Sequence, residues 1–266
     1  GKNILIEYRY ADGREELLPT LAAELVQLKV EVIVSATLPG IRAAMQATKT
    51  IPIVMVTPAD PVASGLIDSL AHPGGNVMGV TRLTRELSGK RLELLKETIP
   101  GLSLVGLLGD AGRSTPDAVK DYEAAARAFK IQLKPLTVRA PNPDFENVFK
   151  AALKGRVRAI IPLSGALLID NAKQMADAAI NYKLPSMNEG GDFVDAGGLM
   201  SYSANDADNY KRAAVYVDKI LKGTKTTELP VEQPMKFDFV INLKTANQIG
   251  LTIPQWTLMK ADRVIR

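Results

Sequence analysis

Short apolar runs alternate with amphipathic stretches along this chain, and the alternation predicts strands and helices in turn. Residues 4–8 form a β-branched run that predicts a strand, and residues 15–28 repeat apolar side chains at the period of a helix. Residues 30–35, VEVIVS, are typical of a buried strand. The pattern then predicts helices at residues 39–48 and 62–71 and strands at residues 51–57 and 76–80.

A second series of the same kind begins after residue 81. It predicts helices at residues 86–99, 116–130, 143–154 and 168–182, and strands at residues 103–108, 131–138, 157–163, 184–187 and 199–202. The tail adds a helix at residues 206–222 and a strand at residues 235–241, which are too few for a third domain and are expected to return to the first two. Short connections and nearly continuous apolar strands predict an α/β fold with two Rossmann-like lobes, each built on a parallel sheet covered on both faces.

Composition excludes several classes of protein. The 266 residues carry a formal charge of +4, spread over 33 basic and 29 acidic residues without a Lys/Arg block, so we expect no nucleic-acid partner. No cysteine is present, which excludes disulfides, thiolate metal sites and cysteine nucleophiles and suits an oxidising compartment. No apolar run approaches the roughly 18 residues that a membrane helix needs. No signal peptide is recognisable, which indicates either a cytosolic protein or a processed or trimmed sequence.

Ligands of open α/β sheets bind outside the carboxyl ends of the strands, so the residues that follow each strand are the candidate binding residues. In the first lobe these are residues 36–38, 58–62 and 80–82; in the second they are GDAGRS at 109–114, LSGALL at 163–168 and NEGGDF at 188–193. Thr37 and Ser164 precede predicted helices, whose N-termini favour a carboxylate. Asp60, Asp110 and Glu189 are candidate partners for a ligand ammonium group.

Structural alternatives remain open for each of these residues. Thr37 and Ser164 are also typical helix N-caps, and carboxylates near a helix start are often capping or solvated groups. Tyr8, Tyr10, Tyr202 and Phe193 are candidates to stack on an aromatic ligand, although aromatic side chains more often belong to a core.

The sequence offers little for catalysis or cofactor binding. The single histidine, His72, lies in SLAHPGGN at the end of a predicted helix, where we expect it to interact with the terminal carbonyls while Pro73 and Gly74 end the helix. No G-x-x-x-x-G-K-[ST] motif occurs, and GDAGRS lacks the G-x-G-x-x-G spacing. One histidine and scattered carboxylates do not form a metal pattern. We therefore predict a protein that is not an enzyme and has no cofactor or metal.

Four segments resemble the substrate-binding proteins of ABC importers, in the periplasmic binding protein type I family that includes tryptophan- and other amino-acid-binding members. They are GKNILIEYRYADG, IPIVMVTPADPVASGLIDSLAHPGGNVMGVT, SGKRLELLKETIP and FDFVINLKTANQIGLTIP. The resemblance implies two lobes joined by three hinge crossovers, near residues 81–85, 202–205 and 233–236, with the ligand enclosed between the lobes. The implied lobes are residues 1–82 plus 204–234 and residues 83–203 plus 235–266.

The start of the chain departs from the family pattern. Similar members carry a strand and a helix ahead of the GKN segment, preceded by a secretion signal. In the strand order 2-1-3-4-5 that the resemblance implies, that strand is the central one of the first lobe. We therefore expect residues upstream of Gly1, and a periplasmic or extracellular, membrane-anchored protein.

These observations together predict a solute-binding component of an ABC importer that captures a small carboxylate-bearing ligand, an amino acid or aromatic acid, and delivers it to a membrane permease. The resemblance implies these ligand-binding residues: Thr37, Leu38, Asp60, Pro61, Thr81, Asp110, Ala111, Ser164, Gly165, Asn188 and Glu189. Two other functions remain open, namely the ligand-sensing core of a transcriptional regulator or receptor and a Rossmann-type enzyme.

Overall fold

The computed structural model describes residues 4–57, 60–82, 87–111, 115–163 and 165–266. The chain divides into two compact units, which are described separately. Unit 1 comprises Gly1–Leu83 and Asn205–Lys236, and unit 2 comprises Thr84–Ala204 and Phe237–Arg266. The first of the predicted crossovers, at residues 81–85, falls mostly outside the described residues.

Strands and helices alternate through most of the chain. The strands are β1 (Ile33–Ser35), β2 (Ile53–Thr57), β3 (Val77–Thr81), β4 (Leu104–Asp110), β5 (Gln132–Val138), β6 (Ala159–Pro162), β7 (Met187–Asn188), β8 (Met200–Ala204), β9 (Val231–Glu232), β10 (Phe237–Asn242) and β11 (Arg263–Ile265). The helices are α1 (Leu18–Gln27), α2 (Leu38–Ala47), α3 (Ser88–Thr98), α4 (Thr115–Phe129), α5 (Phe145–Lys154), α6 (Ala166–Asp170), α7 (Ala172–Asn181), α8 (Asp192–Asp195), α9 (Asp206–Leu221), α10 (Leu243–Gln248) and α11 (Gln255–Leu258). Within the described ranges, no helix is long and apolar enough to cross a membrane.

Unit 1 is built on a four-stranded parallel sheet in the order β1-β2-β3-β9. Every residue of β2 and β3 is buried, because both faces of the sheet are covered. Alternate residues of β2 point to opposite faces, so Ile53 and Met55 pack with Ile41 of α2, whereas Val54 and Val56 pack with Tyr216 of α9. This is the doubly covered sheet that the apolar strands predict.

Unit 2 contains two groups of strands. One is a parallel sheet in the order β5-β4-β6, and the other has the order β11-β10-β8-β7, in which only the pairing of β10 with β8 is antiparallel among the described strands. A parallel bridge between Ile160 and Ser186 joins the two groups. One face packs against α3 and α4, through residues such as Leu92 and Tyr122, and the other against α5 and α7.

The predicted α/β class with parallel sheets is confirmed, but three of the predicted elements differ from the structure. Residues 4–8 form no strand, and Leu5 is 86% exposed, since the segment finds no pairing strand among the described residues. Residues 62–71 form turns instead of a helix, because Gly65 has a φ of +67°. The predicted helix at residues 168–182 is the two helices α6 and α7, which meet at Asn171.

Among the residues that the structure describes, five short elements escaped prediction: β9, α8, α10, α11 and β11. Each has at most six residues, so the helices among them do not cover two full turns and the strands do not reach four residues. A hydrophobic period cannot be recognised over so few positions.

Gly79 of β3 is the register partner of Met55 in β2. Its φ is +130°, and a Cβ atom placed on it would lie 2.3 Å from the carbonyl oxygen of Met55. Both the backbone conformation and the close contact with a neighbouring backbone atom therefore require glycine here.

We expect the Gly79→Ala variant to lose about 3 to 4 kcal/mol of unfolding free energy, since the backbone of β2 or β3 must shift to accept the methyl group. Gly223→Ala in the same unit is the matched control. Gly223 also has a positive φ, +94°, but a Cβ atom there meets nothing within 4 Å. The control should lose about 1 to 2 kcal/mol. Urea unfolding measures both values, and equal losses would contradict the close-approach explanation.

Candidate functional site

The carboxyl ends of β1, β2 and β3 lie at one edge of the unit 1 sheet, because the three strands are parallel. Thr57 and Thr81 end β2 and β3 as register partners, and both are completely buried. Arg82 continues from β3 by donating its backbone N–H to the Thr57 oxygen at 2.7 Å. Thr81 is therefore a fixed, interior part of this edge.

Thr37 is the N-cap of α2, as the structural alternative for this residue predicts. Its backbone is extended, with φ −117° and ψ 144°, and its Oγ1 accepts a hydrogen bond from the Gly40 N–H at 3.2 Å. A Cβ atom on Gly40 would lie 2.7 Å from Ser35 Oγ and 2.9 Å from Thr37 Oγ1, so glycine leaves room for two hydroxyl groups over the helix start. The first turn of α2 contains no acidic residue. Thr37 itself is exposed, and Leu38 is half-buried.

Residues 60–63 form a turn closed by Asp60. The Asp60 Oδ1 atom accepts hydrogen bonds from the N–H groups of Val62, at 2.8 Å, and Ala63, at 3.1 Å. Asp60 is exposed, whereas the adjacent Pro61 is buried. One oxygen of this carboxylate is thus used to hold its own loop.

The expectation that His72 interacts with the end of a helix is wrong, because residues 62–71, all of which the structure describes, form no helix. His72 lies in a turn held by Ser69. The Ser69 hydroxyl donates to the His72 backbone oxygen and accepts from the His72 N–H, both at 3.1 Å. His72 is an exposed residue.

In unit 2, β4, β6 and β7 are likewise parallel and bring several candidate residues to one edge. Asp110 and Ala111 are half-buried at the end of β4, and the Ala111 N–H donates to Val138 at 2.8 Å. Gly165 is the N-cap of α6, and Asn188 Oδ1 accepts from the Gly190 N–H at 2.9 Å. Ser164 lies outside the described residues.

Glu189 belongs to a buried cluster with Arg91 and Tyr122, which we call the Arg91 cluster. The Arg91 Nη1 atom lies 3.2 Å from Glu189 Oε1, and the Tyr122 hydroxyl donates to the same oxygen at 2.8 Å. The Arg91 Nε–H donates to the backbone oxygen of Tyr202 at 2.8 Å. The side chains of Arg91 and Glu189 are 0% and 7% exposed, so the ion pair is shielded from solvent.

The protonation of Tyr122 follows from its surroundings. Burial raises the pKa of its hydroxyl well above the ordinary value, and the charge of Glu189 raises it further, against the opposing effect of Arg91. The hydroxyl therefore keeps its proton and remains a hydrogen-bond donor to Glu189. Both Arg91 and Tyr122 thus stabilise a carboxylate that would be costly to bury alone.

The sequence interpretation missed Arg91 and Tyr122, although a signal exists for both. Arg91 occupies the same helical face of α3 as the buried Ser88, Leu92 and Leu95, and a cation at an inward position indicates a buried partner. Tyr122 lies on the inward face of α4 in the same way, beside Ala126.

Each aromatic candidate contacts another aromatic ring or belongs to the core. Tyr8 stacks on Tyr10 with ring centroids 5.9 Å apart, and Tyr202 stacks on Phe237 at 6.0 Å. Phe193 is 3% exposed and belongs to the core of unit 2. In the part of the chain that the structure describes, no group of three or more His, Asp or Glu side chains is placed to hold a metal ion.

Comparisons with known proteins agree with this architecture. A family model described as ABC transporter substrate binding protein matches residues 1–265. A tyrosine-binding protein of Clostridioides difficile (strain R20291) is 25% identical over 263 residues, which cover 94% of this chain and 72% of that protein.

Two solved structures are similar over nearly the whole chain. A conserved domain protein from Vibrio cholerae is 28% identical with a TM-score of 0.89. The match covers 99% of this chain and 88% of the Vibrio cholerae chain. An ABC domain from Streptococcus pneumonia in complex with L-Trp is 24% identical with a TM-score of 0.87. The match covers 100% of this chain and 89% of the Streptococcus pneumonia chain. The second likeness concerns the fold alone.

We expect Arg91→Met to lose about 3 to 5 kcal/mol of unfolding free energy, because the variant leaves the Glu189 carboxylate buried without its cation. Lys90→Met is the matched control on the same helix. Lys90 pairs with Glu93 at 2.8 Å, but these side chains are 39% and 37% exposed, so its loss should cost no more than about 1 kcal/mol. Chemical unfolding measures the free energy of unfolding of both variants. A small loss in Arg91→Met would show that the buried pair of Arg91 and Glu189 does not stabilise the fold.

Proposed function

We propose a ligand class for this chain, which belongs to the ABC transporter substrate binding protein family. A member of this family is the solute-binding component of an ABC transporter, and it works outside the cytoplasm. The ligand that we propose is a small molecule with a carboxylate group, either an amino acid or an aromatic acid. The tyrosine-binding relative, similar over 94% of this chain, supports that class.

The observation that carries the proposal is the start of α2. Thr37 Oγ1 accepts from the Gly40 N–H, which leaves the hydroxyl hydrogen to be donated to a ligand oxygen. Ser35 presents a second hydroxyl beside it, and the positive end of the helix dipole favours an anion there. A carboxylate fits this environment because no acidic residue of the first turn competes for it.

An ammonium group of an amino acid needs an acceptor, and we propose Asp110 for this role. It is half-buried at the end of β4, where a carboxylate is partly shielded from water.

The other proposed binding residues follow from the same strand ends. We propose that Thr37, Leu38 and Asp60 of unit 1 face the ligand in front of the buried Pro61 and Thr81. In unit 2 we propose Asp110, Ala111, Ser164, Gly165 and Asn188 as ligand contacts, while Glu189 contributes by holding the loop that follows Asn188.

The remaining parts of the functional assignment are also proposals. We propose that the chain releases its ligand unchanged to a membrane permease, without catalysis, and that a membrane anchor holds it near that permease. Recovery of the ligand in unaltered form after prolonged incubation tests the first point.

We expect L-tyrosine or L-tryptophan to raise the thermal unfolding midpoint, since a ligand at 100 times its dissociation constant adds about 2.7 kcal/mol of stability. Tyramine, which lacks the carboxylate, and 3-(4-hydroxyphenyl)propanoate, which lacks the ammonium group, separate the two recognition elements. Tyramine should give no shift, and the propanoate should bind more weakly than tyrosine. Calorimetric titration gives the affinities. A set of amino and aromatic acids that leaves the midpoint unchanged would contradict the ligand class.

We expect Thr37→Ala to weaken ligand binding by about ten- to a hundredfold, because it removes a hydrogen bond to a charged group. Asn242→Ala is the matched control. Asn242 is the N-cap of α10, but it follows β10, which is antiparallel to β8 and so ends at the opposite edge of its sheet. Each variant should lose about 1 kcal/mol of stability through its cap. Equal affinities of the two variants would argue against a carboxylate at α2.

A further inference from the structure

The Arg91 cluster joins four separate parts of unit 2. Arg91 lies on α3, Tyr122 on α4, Glu189 follows β7, and the backbone oxygen that accepts from Arg91 belongs to Tyr202 on β8. Two of these parts adjoin proposed ligand residues, since α4 follows the segment at Asp110 and Glu189 follows Asn188 directly. The cluster is therefore placed to fix the loop that begins at Asn188.

The loop at residues 188–191 is held from two directions. Asn188 Oδ1 accepts from the Gly190 N–H at 2.9 Å, which closes the backbone turn. Between them, Glu189 is 6% exposed and directs its carboxylate toward Arg91 and Tyr122, while Asn188, Gly190 and Gly191 are only half-buried. The side chain of Glu189 thus points into unit 2 while its neighbours remain accessible.

We propose that Arg91 and Tyr122 are positioning residues of the ligand site: by holding the Glu189 carboxylate they fix the loop at residues 188–191, so ligand affinity depends on two side chains that do not touch the ligand. The inference rests on the proposed function for its effect on affinity. Its structural part, the fixing of the loop, is independent of any ligand.

The chemistry of the cluster makes its members hard to replace. Arg91 donates through Nε to Tyr202 and approaches Glu189 through Nη1, which is 3.2 Å from the carboxylate oxygen. A lysine ammonium group has no second, rigidly spaced nitrogen, so Arg91→Lys cannot keep both contacts. Tyr122→Phe removes a single donor and leaves the ring in the core, which makes it the mildest test. Glu189→Gln keeps an oxygen for Tyr122 but loses the charge that Arg91 needs.

The experiment uses the full chain and the variants Tyr122→Phe, Glu189→Gln and Arg91→Lys. Phe149→Leu and Phe149→Ala are the controls, because Phe149 belongs to the core on the other face of the unit 2 sheet. Their two losses of stability are expected to lie below and above those of the cluster variants. Hydrogen exchange is measured at the amides of residues 188–191, and affinity for L-tyrosine is measured by calorimetry. We expect exchange in the loop to rise about ten- to a hundredfold in the cluster variants, and affinity to fall by a similar factor. The Phe149 variants should change neither.

The outcomes separate the two claims. Faster loop exchange with weaker L-tyrosine binding, seen only in the cluster variants, supports the positioning role. Unchanged loop exchange overturns it, and so does faster exchange with unchanged affinity, since the cluster would then be purely structural. If the unaltered protein binds neither L-tyrosine nor L-tryptophan, the proposed ligand class is wrong, and loop exchange alone decides whether the cluster positions the loop.

Discussion

Parallel pairing of the strands determines where the candidate binding residues of each unit lie. Because β1, β2 and β3 run in the same direction, their carboxyl ends lie at one edge of the unit 1 sheet. In unit 2, β4, β6 and β7 are parallel as well, so their carboxyl ends also lie at one edge. The buried register pair Thr57 and Thr81 marks this edge in unit 1. Residues distant in sequence are thereby brought together as short loops that follow rigid strands. Loops of this kind are suited to ligand binding, since the scaffold fixes them and their backbone groups are accessible.

A second constraint acts within unit 2, where a buried charge must have a partner. Glu189 could not be placed at 6% exposure unless Arg91 and Tyr122 stabilised it, and these two residues come from helices that cover the sheet. The ion pair therefore ties a loop at the strand ends to the helical layer. In unit 1 the corresponding loop after β1 is held by the Thr37 side chain, which caps α2. Glycine at position 40 leaves the space that this cap needs. The two units thus position their strand-end loops by different interactions.

The sequence predicted the class of fold and most of the long elements because their hydrophobic periods are extended. It failed where local pattern competes with backbone or tertiary effects. Residues 62–71 have a helical composition, yet the positive φ of Gly65 prevents a helix, and residues 4–8 have a strand composition without a pairing strand in the described part of the chain. The capping of α2 by Thr37 was foreseen as an alternative, since a hydroxyl before an apolar helix is a local signal. The partners of Glu189 were not foreseen, because 98 positions separate it from Arg91 and no local rule connects them.

We propose that each unit contacts the ligand through the loops at the carboxyl ends of its strands. The most direct measurement is a titration of the isotopically labelled protein with L-tyrosine, followed by amide chemical shifts in nuclear magnetic resonance spectra. We predict the largest changes at Gly40, Ala111, Gly165 and Gly190, which lie at the carboxyl ends of the strands. Gly101 and Gly223 precede β4 and β9 at the opposite edges and should not respond. Shifts concentrated at those opposite edges, or no shifts at the strand-end loops, would show that L-tyrosine does not bind at the carboxyl ends of the strands.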